Sequence, residues 1–246
     1  MSRDYSDYWS TLKGSHGSHP GNLFRYELIA GELRRSHLQP AKVIDCGCGD
    51  GSLLSVVSTR IPCGDLYGFD IAPSVPAGLR DAIHFQQQDL GKPVPEPMRG
   101  QFDLVLCSEV IEHVLDDNTV LANLFALARP GGSVVLTTQT GTIFKTEQFL
   151  GHLRHYPFEQ LLQRVEQTGL QVVRAFRCGW PWLNMQKIAA HILQDTVQTK
   201  IVQADHLGAG VRVLFAILRR LYRFSSRSRG PQLFILARKP LATPPS

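Results

Sequence analysis

The sequence predicts an α/β fold in which a mainly parallel β-sheet is covered by helices on both faces. Three observations support this prediction. Short apolar segments recur along the chain and alternate with segments of helical periodicity, as in repeated β–α units. The first such unit, within residues 43–57, joins an apolar strand to a helix through a glycine-rich loop. Acidic residues follow the first three predicted strands, at the sheet edge where open α/β folds bind ligands.

Length and composition favour one domain that spans residues 1–246. The chain is 43% hydrophobic and 19% charged, which is ordinary for a soluble globular domain. No run approaches the ~20 apolar residues that cross a bilayer, and the first residues lack the apolar core of a signal peptide. A cytoplasmic location is therefore expected. The five cysteines are odd in number and lack zinc-ligand spacing, so neither a disulfide framework nor a structural zinc site is predicted.

The chain begins with a polar, aromatic-rich stretch over residues 1–20, interpreted as a cap segment over the ligand cleft. Helical spacing of apolar residues predicts a helix over Leu23–Leu33, and Pro40 separates this helix from the first strand. That strand carries the β-branched pair Val43 and Ile44, as expected where both faces of a sheet are covered.

The loop after the first strand has an acid and three glycines at every second position, namely Asp45, Gly47, Gly49 and Gly51. Glycines permit a tight turn and a close approach to a ligand, which would face free N–H groups at the start of the next helix. Dinucleotide-binding loops have the spacing G-x-G-x-x-G instead. A carboxylate at the strand end would repel a pyrophosphate, whereas it suits a ligand that carries an ammonium group.

Two further acids end the next predicted strands. Leu66–Phe69 forms a second strand that ends in Asp70, about twenty residues after the glycine loop. An acid at this place accepts hydrogen bonds from ribose hydroxyls in nucleoside-binding sheets. A third strand over Ile83–Gln88 is closed by Asp89 and Leu90. The sequence thus favours a nucleoside ligand.

The remaining elements continue the same alternation. They are a loop over 91–100, a strand over Phe102–Cys107, a helix over Asn118–Ala128, a turn over 129–132, a strand over Ser133–Thr138, a helix that begins at Pro157 and ends at Gly169, a strand over Leu170–Phe176 and a last strand over Gln232–Ala237. The long connection before the last strand exceeds the length of an ordinary loop, so residues 179–230 are expected to form a helical insert.

Two motifs resemble those of a known family. VIDCGCGDG is similar to motif I of the class I S-adenosylmethionine-dependent methyltransferases, and FDLVLCSEVIEHV resembles the segment after the fourth strand of their small-molecule members. The resemblance covers residues 43–138 and implies a Rossmann-like, doubly wound, seven-stranded sheet with one antiparallel strand. It also implies S-adenosylmethionine as the cofactor, with its amino acid end at the first acid, its ribose at the second and its adenine at the third. The implied cofactor-binding residues are Asp45, Gly47, Cys48, Gly49, Gly51, Asp70, Ile71, Asp89, Leu90 and Cys107.

The insert contains two segments with helical periodicity, Asn184–Val197 and Val211–Phe224. The second segment has apolar residues on one face and three arginines on another, so it is a basic amphipathic helix. Three interpretations stay open. The helix packs on the domain with its arginines in water, it covers a hydrophobic substrate as a lid, or residues 211–224 contact an anionic membrane.

Methyl transfer requires an aligned acceptor and, where the acceptor is a hydroxyl, a base. The candidates are His113, His152 and His155, and the preferred catalytic residues are His113 and His155. Glu109, Glu112 and His113 would share one helix face if a helix began there. This pattern resembles the magnesium-supporting site of ubiquinone-biosynthesis O-methyltransferases and small-RNA 2′-O-methyltransferases, with His155 as a further ligand. A divalent cation is therefore an alternative, and the preferred site contains no metal.

The expected function is methyl transfer from S-adenosylmethionine to a small-molecule or lipid-like acceptor, on oxygen in preference to nitrogen. One alternative is a catalytically silent cofactor-binding module that acts through a partner protein. A nicotinamide oxidoreductase is opposed by Asp45 and the glycine spacing. Nucleic acid is disfavoured as a substrate, because the Asn-Pro-Pro-Tyr type of motif is absent after the fourth strand and the basic surface is small. The sequence makes no prediction about the oligomeric state.

Overall fold

The computed structural model describes residues 19–72, 82–197 and 208–241. Its strands are β1 (Lys42–Cys46), β2 (Asp65–Asp70), β3 (His84–Gln87), β4 (Phe102–Ser108), β5 (Ala128–Gln139), β6 (Gln171–Cys178) and β7 (Gln232–Arg238). Its helices are α1 (Pro20–Arg35), α2 (Ser52–Arg60), α3 (Asp117–Leu127), α4 (Lys145–Phe149), α5 (Phe158–Gln167), α6 (Trp182–Ile192), α7 (Gln194–Val197) and α8 (Ala209–Leu221). Short 3₁₀ turns span Glu96–Met98, Ile111–His113 and Tyr222–Phe224. Of the predicted cap segment over 1–20, residues 1–18 lie outside the described residues.

The strands form one seven-stranded sheet in the order β3-β2-β1-β4-β5-β7-β6. The first five strands in this order are parallel, and β7 is antiparallel to both β5 and β6. The predicted doubly wound sheet with one reversed strand is confirmed. Since the chain runs from β1 outward to β3 and then returns to place β4 on the other side of β1, the strand order reverses there. A crevice opens at such a reversal, beyond the carboxyl ends of β1 and β4.

Neighbouring side chains in a strand point to opposite faces of the sheet. In the central strands both faces are buried, each by its own apolar cluster. Val43 and Ile44 of β1 are both fully buried, and they belong to separate apolar clusters. Ile44 packs with residues of α3 and α5, whereas Val43 packs with residues of α1 and α2. Each fully buried aliphatic side chain contributes about 1.5–3 kcal/mol to folding, so the two clusters hold the carboxyl ends of β1 and β4 in place.

The predicted turn over 129–132 is part of β5, which begins at Ala128. The pairing with β4 shifts register between Phe102 and Leu104, so the two glycines of the turn form a bulge inside the strand. Gly131 has a φ of 77°, and a Cβ on Gly132 would lie 2.8 Å from the carbonyl oxygen of Phe102. The glycines are therefore needed for close strand contact as well as for a change in direction.

The insert leaves and re-enters the sheet at one point. Its two ends are joined by hydrogen bonds, since Gly179 N donates to Ser226 O at 3.1 Å and Ser226 N donates to Trp180 O at 2.8 Å. The predicted helix over Asn184–Val197 is observed as α6 and α7. The predicted helix over Val211–Phe224 is observed as α8 followed by a 3₁₀ turn. None of the helices within the described residues is long and apolar enough to cross a bilayer.

Buried Glu32 of α1 connects three parts of the chain. Its carboxylate contacts Arg35 Nη1 at 2.5 Å, Arg174 Nε of β6 at 2.9 Å and Arg227 Nη1 at 3.1 Å. Arg227 lies at the end of the insert, so this acid ties the returning chain to α1. A buried carboxylate is stable only when it is paired and hydrogen-bonded, and the three guanidinium groups meet that condition.

Candidate active site

A cavity of about 730 Å³ lies beyond the carboxyl ends of β1, β2 and β4 and is partly covered by the insert. Most of the predicted cofactor residues line it, namely Asp45, Gly47, Cys48, Gly49, Asp70, Ile71, Asp89 and Leu90. Gly51 and Cys107 do not line the cavity. Gly51 precedes the first turn of α2, and Cys107 is buried in the core while its neighbour Ser108 lines the cavity instead.

The glycine loop is shaped by positive φ angles and by contact with the chain after β4. Gly47, Gly49 and Gly51 have φ values of 84°, 52° and 73°. A Cβ on Gly47 would lie 2.3 Å from Cγ2 of Val110, so only glycine fits at this position. The loop leaves room for a ligand against its backbone.

The amides of the loop itself are hydrogen-bonded within the protein, and they are distinct from the free N–H groups predicted at the start of the next helix. Gly47 N and Cys48 N both donate to Phe69 O, at 2.7 and 2.9 Å. Gly49 N donates to Asp70 Oδ2 at 2.8 Å, and Gly51 N donates to Cys48 O at 2.8 Å. The end of β2 accepts the bonds from Gly47, Cys48 and Gly49 because it lies beside β1 in the sheet. The loop therefore offers a ligand its shape and its acids, and these four amides stay engaged within the protein.

The two acids at the ends of β1 and β2 differ in their hydrogen bonding. Asp70 accepts bonds at both oxygens, from Gly49 N and from Ala72 N at 2.9 Å. Asp45 is buried in the cavity wall, and its Oδ1 has no hydrogen-bond partner among the described residues. Burial, together with the charges of Asp70 and Asp50, raises the pKa of Asp45 to about 8. A cationic ligand group at Asp45 would satisfy this orphaned oxygen, so the residues present fit the ammonium end of S-adenosylmethionine.

The far side of the cavity, at the end of β3, is mainly apolar. Leu90 is buried in its wall, and the side chain of Ile71 is partly exposed to it. Asp89 Oδ1 accepts a hydrogen bond from Gly91 N at 2.9 Å. Its other oxygen, Oδ2, lies 3.8 Å from Nζ of Lys92. Two aliphatic surfaces and one acid are suited to a flat heterocycle that carries an amino group.

The segment after β4 does not form the predicted helix face. Glu109 has a φ of 56°, in the left-handed region, and only Ile111–His113 form a single 3₁₀ turn. The reversal at Glu109 sends the two glutamates to different partners. Glu109 accepts hydrogen bonds from Gln139 Nε2 and Gln232 Nε2, each at 2.8 Å, whereas Glu112 accepts one from Thr138 Oγ1 at 2.8 Å. Glu109, Glu112 and His113 were predicted to share one helix face as metal ligands. That prediction is wrong, because no helix begins at Glu109.

The two glutamates also differ in protonation. Burial alone would raise the pKa of Glu109, but Arg25 and the two glutamine amides outweigh it and hold that pKa below its usual value. Burial and the charge of Glu109 raise the pKa of Glu112 well above its usual range. Glu112 therefore keeps its proton to a higher pH than Glu109 does. This division is typical of closely spaced acids in functional sites.

Three histidines lie close together next to Glu112. The rings of His113 and His152 pack edge to face, with their centroids 4.7 Å apart. His152 Nδ1 lies 3.1 Å from His155 Nε2. His155 Nδ1 in turn lies 3.1 Å from the carbonyl oxygen of Gly141. Ligand atoms of Glu112, His113 and His152 all lie within 4.8 Å of one another.

The hydrogen bonds assign the tautomers of His152 and His155. A carbonyl oxygen only accepts, so His155 Nδ1 carries a proton and donates it to Gly141 O. Burial lowers the pKa of His155, which keeps the ring neutral and leaves its Nε2 as an acceptor for His152 Nδ1–H. His152 therefore has its lone pair on Nε2. His155, predicted as catalytic, does not line the cavity and instead orients His152, which does.

Burial also lowers the pKa of His152, to about 2, with smaller contributions from His113, His155, Lys187 and Arg25. Its imidazole stays neutral across the physiological range. A neutral ring with a defined lone pair is suited to accept a hydrogen bond from an acceptor hydroxyl or to ligate a cation.

Several polar residues of the site were missed by the sequence analysis. Lys187 of α6 donates to Gln139 Oε1 at 2.7 Å and contacts Glu147 Oε1 at 2.7 Å. Nη1 of Arg25, in α1, lies 3.8 Å from Oε2 of Glu109. Gln139 could have been found, because it ends β5 at the ligand-binding edge of the sheet. Nothing in the helical pattern of the insert distinguishes Lys187 from a solvated lysine.

Comparison with known proteins agrees with this geometry. A family model described as a methyltransferase domain matches residues 23–175, more than half of the chain. Ubiquinone biosynthesis O-methyltransferase from Pseudomonas aeruginosa is 36% identical over 111 residues, which are 42% of this chain and 47% of that protein. The Bordetella avium protein of the same name is 32% identical over 137 residues, 52% of this chain and 53% of that protein. The chain thus spans about half the length of the curated relatives it matches.

Solved structures show the same fold. The 1,6-didemethyltoxoflavin-N1-methyltransferase of Burkholderia thailandensis, with S-adenosylhomocysteine bound, aligns with a TM-score of 0.55 at 16% identity. The alignment covers 87% of this chain and 78% of that chain. The order of the strands, the acids and glycines around the cavity and the family match lead to one conclusion: the chain belongs to the class I S-adenosylmethionine-dependent methyltransferase family.

Proposed function

We propose that this protein transfers a methyl group from S-adenosylmethionine to a hydroxyl oxygen of a small, lipid-like acceptor. One observation carries the proposal, namely that a single cavity joins an acidic, glycine-lined end to an apolar chamber made by the insert. The apolar chamber is lined by Leu183, Met185, Leu193, Leu214, Phe215 and Leu218. Pockets of this size bind molecules as large as a cofactor, and apolar linings favour apolar ligands.

The cofactor would occupy the acidic end. Asp45 would pair with its ammonium group, and the lone pairs left on Asp70 would accept the ribose hydroxyls. Ile71 and Leu90 would enclose the adenine, with Asp89 beside its amino group. The orphaned Oδ1 of Asp45 is the strongest support for this orientation.

The acceptor hydroxyl would lie against His152. Its oxygen would attack the methyl carbon while the carbon–sulfur bond breaks, and the sulfur of S-adenosylhomocysteine would keep the electron pair. The attacking oxygen becomes strongly acidic as the new bond forms, so Nε2 of His152 can take the proton late in the step in spite of its low pKa. Glu112 is less suited to act as the base, because burial and the charge of Glu109 favour its protonated form. The relatives named O-methyltransferases support oxygen as the acceptor atom.

A second candidate involves a divalent cation at Glu112, His113 and His152. Glu112 Oε1 is buried and has no hydrogen-bond partner among the described residues, which favours a ligand there. One carboxylate and two imidazoles suit Mn²⁺, Fe²⁺ or Zn²⁺ better than Mg²⁺, which prefers oxygen ligands. A cation there would lower the pKa of a bound acceptor hydroxyl.

The proposed function is tested with methyl-labelled S-adenosylmethionine and two phenolic probes, catechol and a catechol that carries a long alkyl chain. We expect label transfer to both, with a lower KM for the alkylated probe. The Asp70→Ala variant should lose cofactor affinity in calorimetry. Tight cofactor binding without a labelled product, over oxygen and nitrogen acceptors alike, would instead support the silent binding module. Preferential binding of NAD would contradict both.

A further inference from the structure

Helix α8 has two apolar faces, although packing on the domain requires one. Phe215 is buried and faces the cavity, as expected for the inner face. Val213 and Ile217 lie one turn apart, about 200° around the helix from Phe215, and are 60% and 50% exposed. An outward apolar face on a surface helix indicates that something else covers it.

Helix α6 shows the same feature. Met185, Ile188 and Ile192 are spaced as residues of one helix face, and they are 56%, 49% and 72% exposed. Leu193, at the end of this helix, is also exposed. The charged residue within α6 is Lys187, and it points into the active site. The exposed face therefore carries no charge.

Three of these apolar side chains border the cavity. Met185, Leu193 and Leu214 are exposed to solvent and also line the cavity. We use the term insert surface for Met185, Ile188, Ile192 and Leu193 together with Val213, Leu214 and Ile217. Part of it therefore faces both the solvent and the apolar chamber.

The insert surface is bordered by positive charge. Residues 208–230 contain six arginines and no acid. Of these, Arg212, Arg219 and Arg223 recur on one side of α8 and its following turn, and all three are exposed. None of them forms an ion pair with an acid in the part of the chain that the structure describes. An apolar strip beside exposed arginines complements a surface of anionic headgroups above acyl chains.

We propose that the insert surface docks on an anionic lipid bilayer, with its aliphatic side chains among the upper acyl segments and its arginines at the phosphates. Docking would place the cavity entrance against the bilayer, so a lipid-like acceptor could enter without crossing water. That route rests on the proposed function, whereas the docking itself does not. Charge favours a bilayer over a second copy of this chain, since two such arginine rows would repel each other.

The test is co-sedimentation of the whole protein with vesicles of phosphatidylcholine alone or phosphatidylcholine with phosphatidylglycerol. We expect binding to the anionic vesicles that weakens as salt is raised. The Arg219→Gln/Arg223→Gln variant should bind roughly 25-fold more weakly, since each arginine near the surface contributes about fivefold. The matched control is Arg34→Gln/Arg238→Gln, which removes the same charge from exposed positions outside the insert and should bind normally.

A second variant changes the apolar part at constant charge. Ile192→Ser/Val213→Ser/Ile217→Ser alters residues that do not line the cavity. It should lose vesicle binding while transfer to soluble catechol and thermal stability stay unchanged. Equal binding to both vesicle types, or unchanged binding by both variants, would overturn docking. A halved molecular mass of the triple variant in light scattering would assign the surface to a second copy instead. Vesicle binding without any transfer would refute the proposed function and leave docking intact.

Discussion

If S-adenosylmethionine binds at Asp45 as proposed, this residue should change its protonation state when the cofactor binds. Burial beside Asp70 and Asp50 favours the neutral carboxyl group, with a pKa of about 8. An ammonium group at Oδ1 would favour the carboxylate. Cofactor binding should therefore release a proton from this residue at neutral pH, because binding must first ionise it.

The first prediction is that S-adenosylmethionine binds more tightly as pH rises from 6 to 8. If only the carboxylate form binds, affinity increases about tenfold per pH unit well below the pKa. The gain ends near pH 8, where α-amino groups also lose their proton. Calorimetry in buffers of different ionisation enthalpy measures both the affinity and the released proton. A pH-independent affinity would contradict the assignment.

Asp45→Asn is the control for this prediction, and its stability has a defined sign. A raised folded-state pKa means that the stability linked to the neutral carboxyl is present below the unfolded pKa and is lost as pH rises through about 8. The neutral amide avoids that loss. Asp45→Asn should therefore fold, melt at or above the temperature of the parent protein at pH 8, and bind the cofactor weakly at every pH.

The second prediction concerns His155 as a positioning residue for His152. His152→Ala should lower kcat about 100-fold, the lower part of the range for a lost base. His155→Ala should lower it about tenfold through loss of the tautomer and orientation. His155→Asn should recover part of this loss, because an amide oxygen can accept from His152 Nδ1–H. Cofactor affinity should not change in either His155 variant, and His84→Gln on the far edge strand serves as the control.

If His155→Asn behaves like His155→Ala in both kcat and the pH dependence of kcat, the hydrogen bond between the rings has no catalytic role. A purely structural role of His155 would have a different signature. It would lower the melting temperature of His155→Ala without changing the pH dependence of kcat.

At the scale of the elements, the glycine loop depends on the segment after β4 as much as on its own backbone. The third prediction is that Gly47→Ala lowers the free energy of unfolding by about 2–4 kcal/mol, from a positive φ and from the overlap with Val110. The matched control is Gly100→Ala. Gly100 has a φ of 65° and no atom within 4 Å of an added Cβ, so it isolates the backbone cost of about 1–2 kcal/mol. Urea unfolding measures both.

Similar losses for the two alanine variants would mean that Val110 moves aside without cost. The contact between the loop and the chain after β4 would then not define the shape of the cofactor site. A larger loss at Gly47, together with weaker cofactor binding, would establish that the two loops form one unit.

At the scale of the whole molecule, a ligand that binds only the folded protein raises its melting temperature. The fourth prediction is that Mn²⁺ raises the melting temperature of the parent protein and not of Glu112→Gln, if the cluster of Glu112, His113 and His152 holds a cation. A ligand at 100 times its Kd stabilises the folded state by about 2.7 kcal/mol. Unchanged melting with Mn²⁺ and unchanged turnover after dialysis against a chelator would exclude the cation and leave His152 as the base.

The sequence alone determined the local parts of this molecule. The buried strand at Val43 and Ile44, the glycine loop and the acids Asp45 and Asp70 are readable because each depends on neighbours within a few residues. These features predicted the sheet, its reversed strand through the family resemblance, and a set of candidate cofactor residues of which most line the cavity. Cys107 was misplaced by one residue, since a strand end is hard to fix and each step along a strand turns the side chain to the opposite face.

Only the tertiary structure decided how the side of the cavity around Glu109 and His152 is assembled. Gln232 meets Glu109 across 123 residues of sequence, and Lys187 reaches the site from the insert. The left-handed turn at Glu109 separates two glutamates that a helix would have aligned, and His155 supports His152 from outside the cavity. Such contacts are set by strand order and by the path of the returning chain. Local patterns determine which element forms, but the distance between side chains far apart in sequence exists only once the sheet has closed.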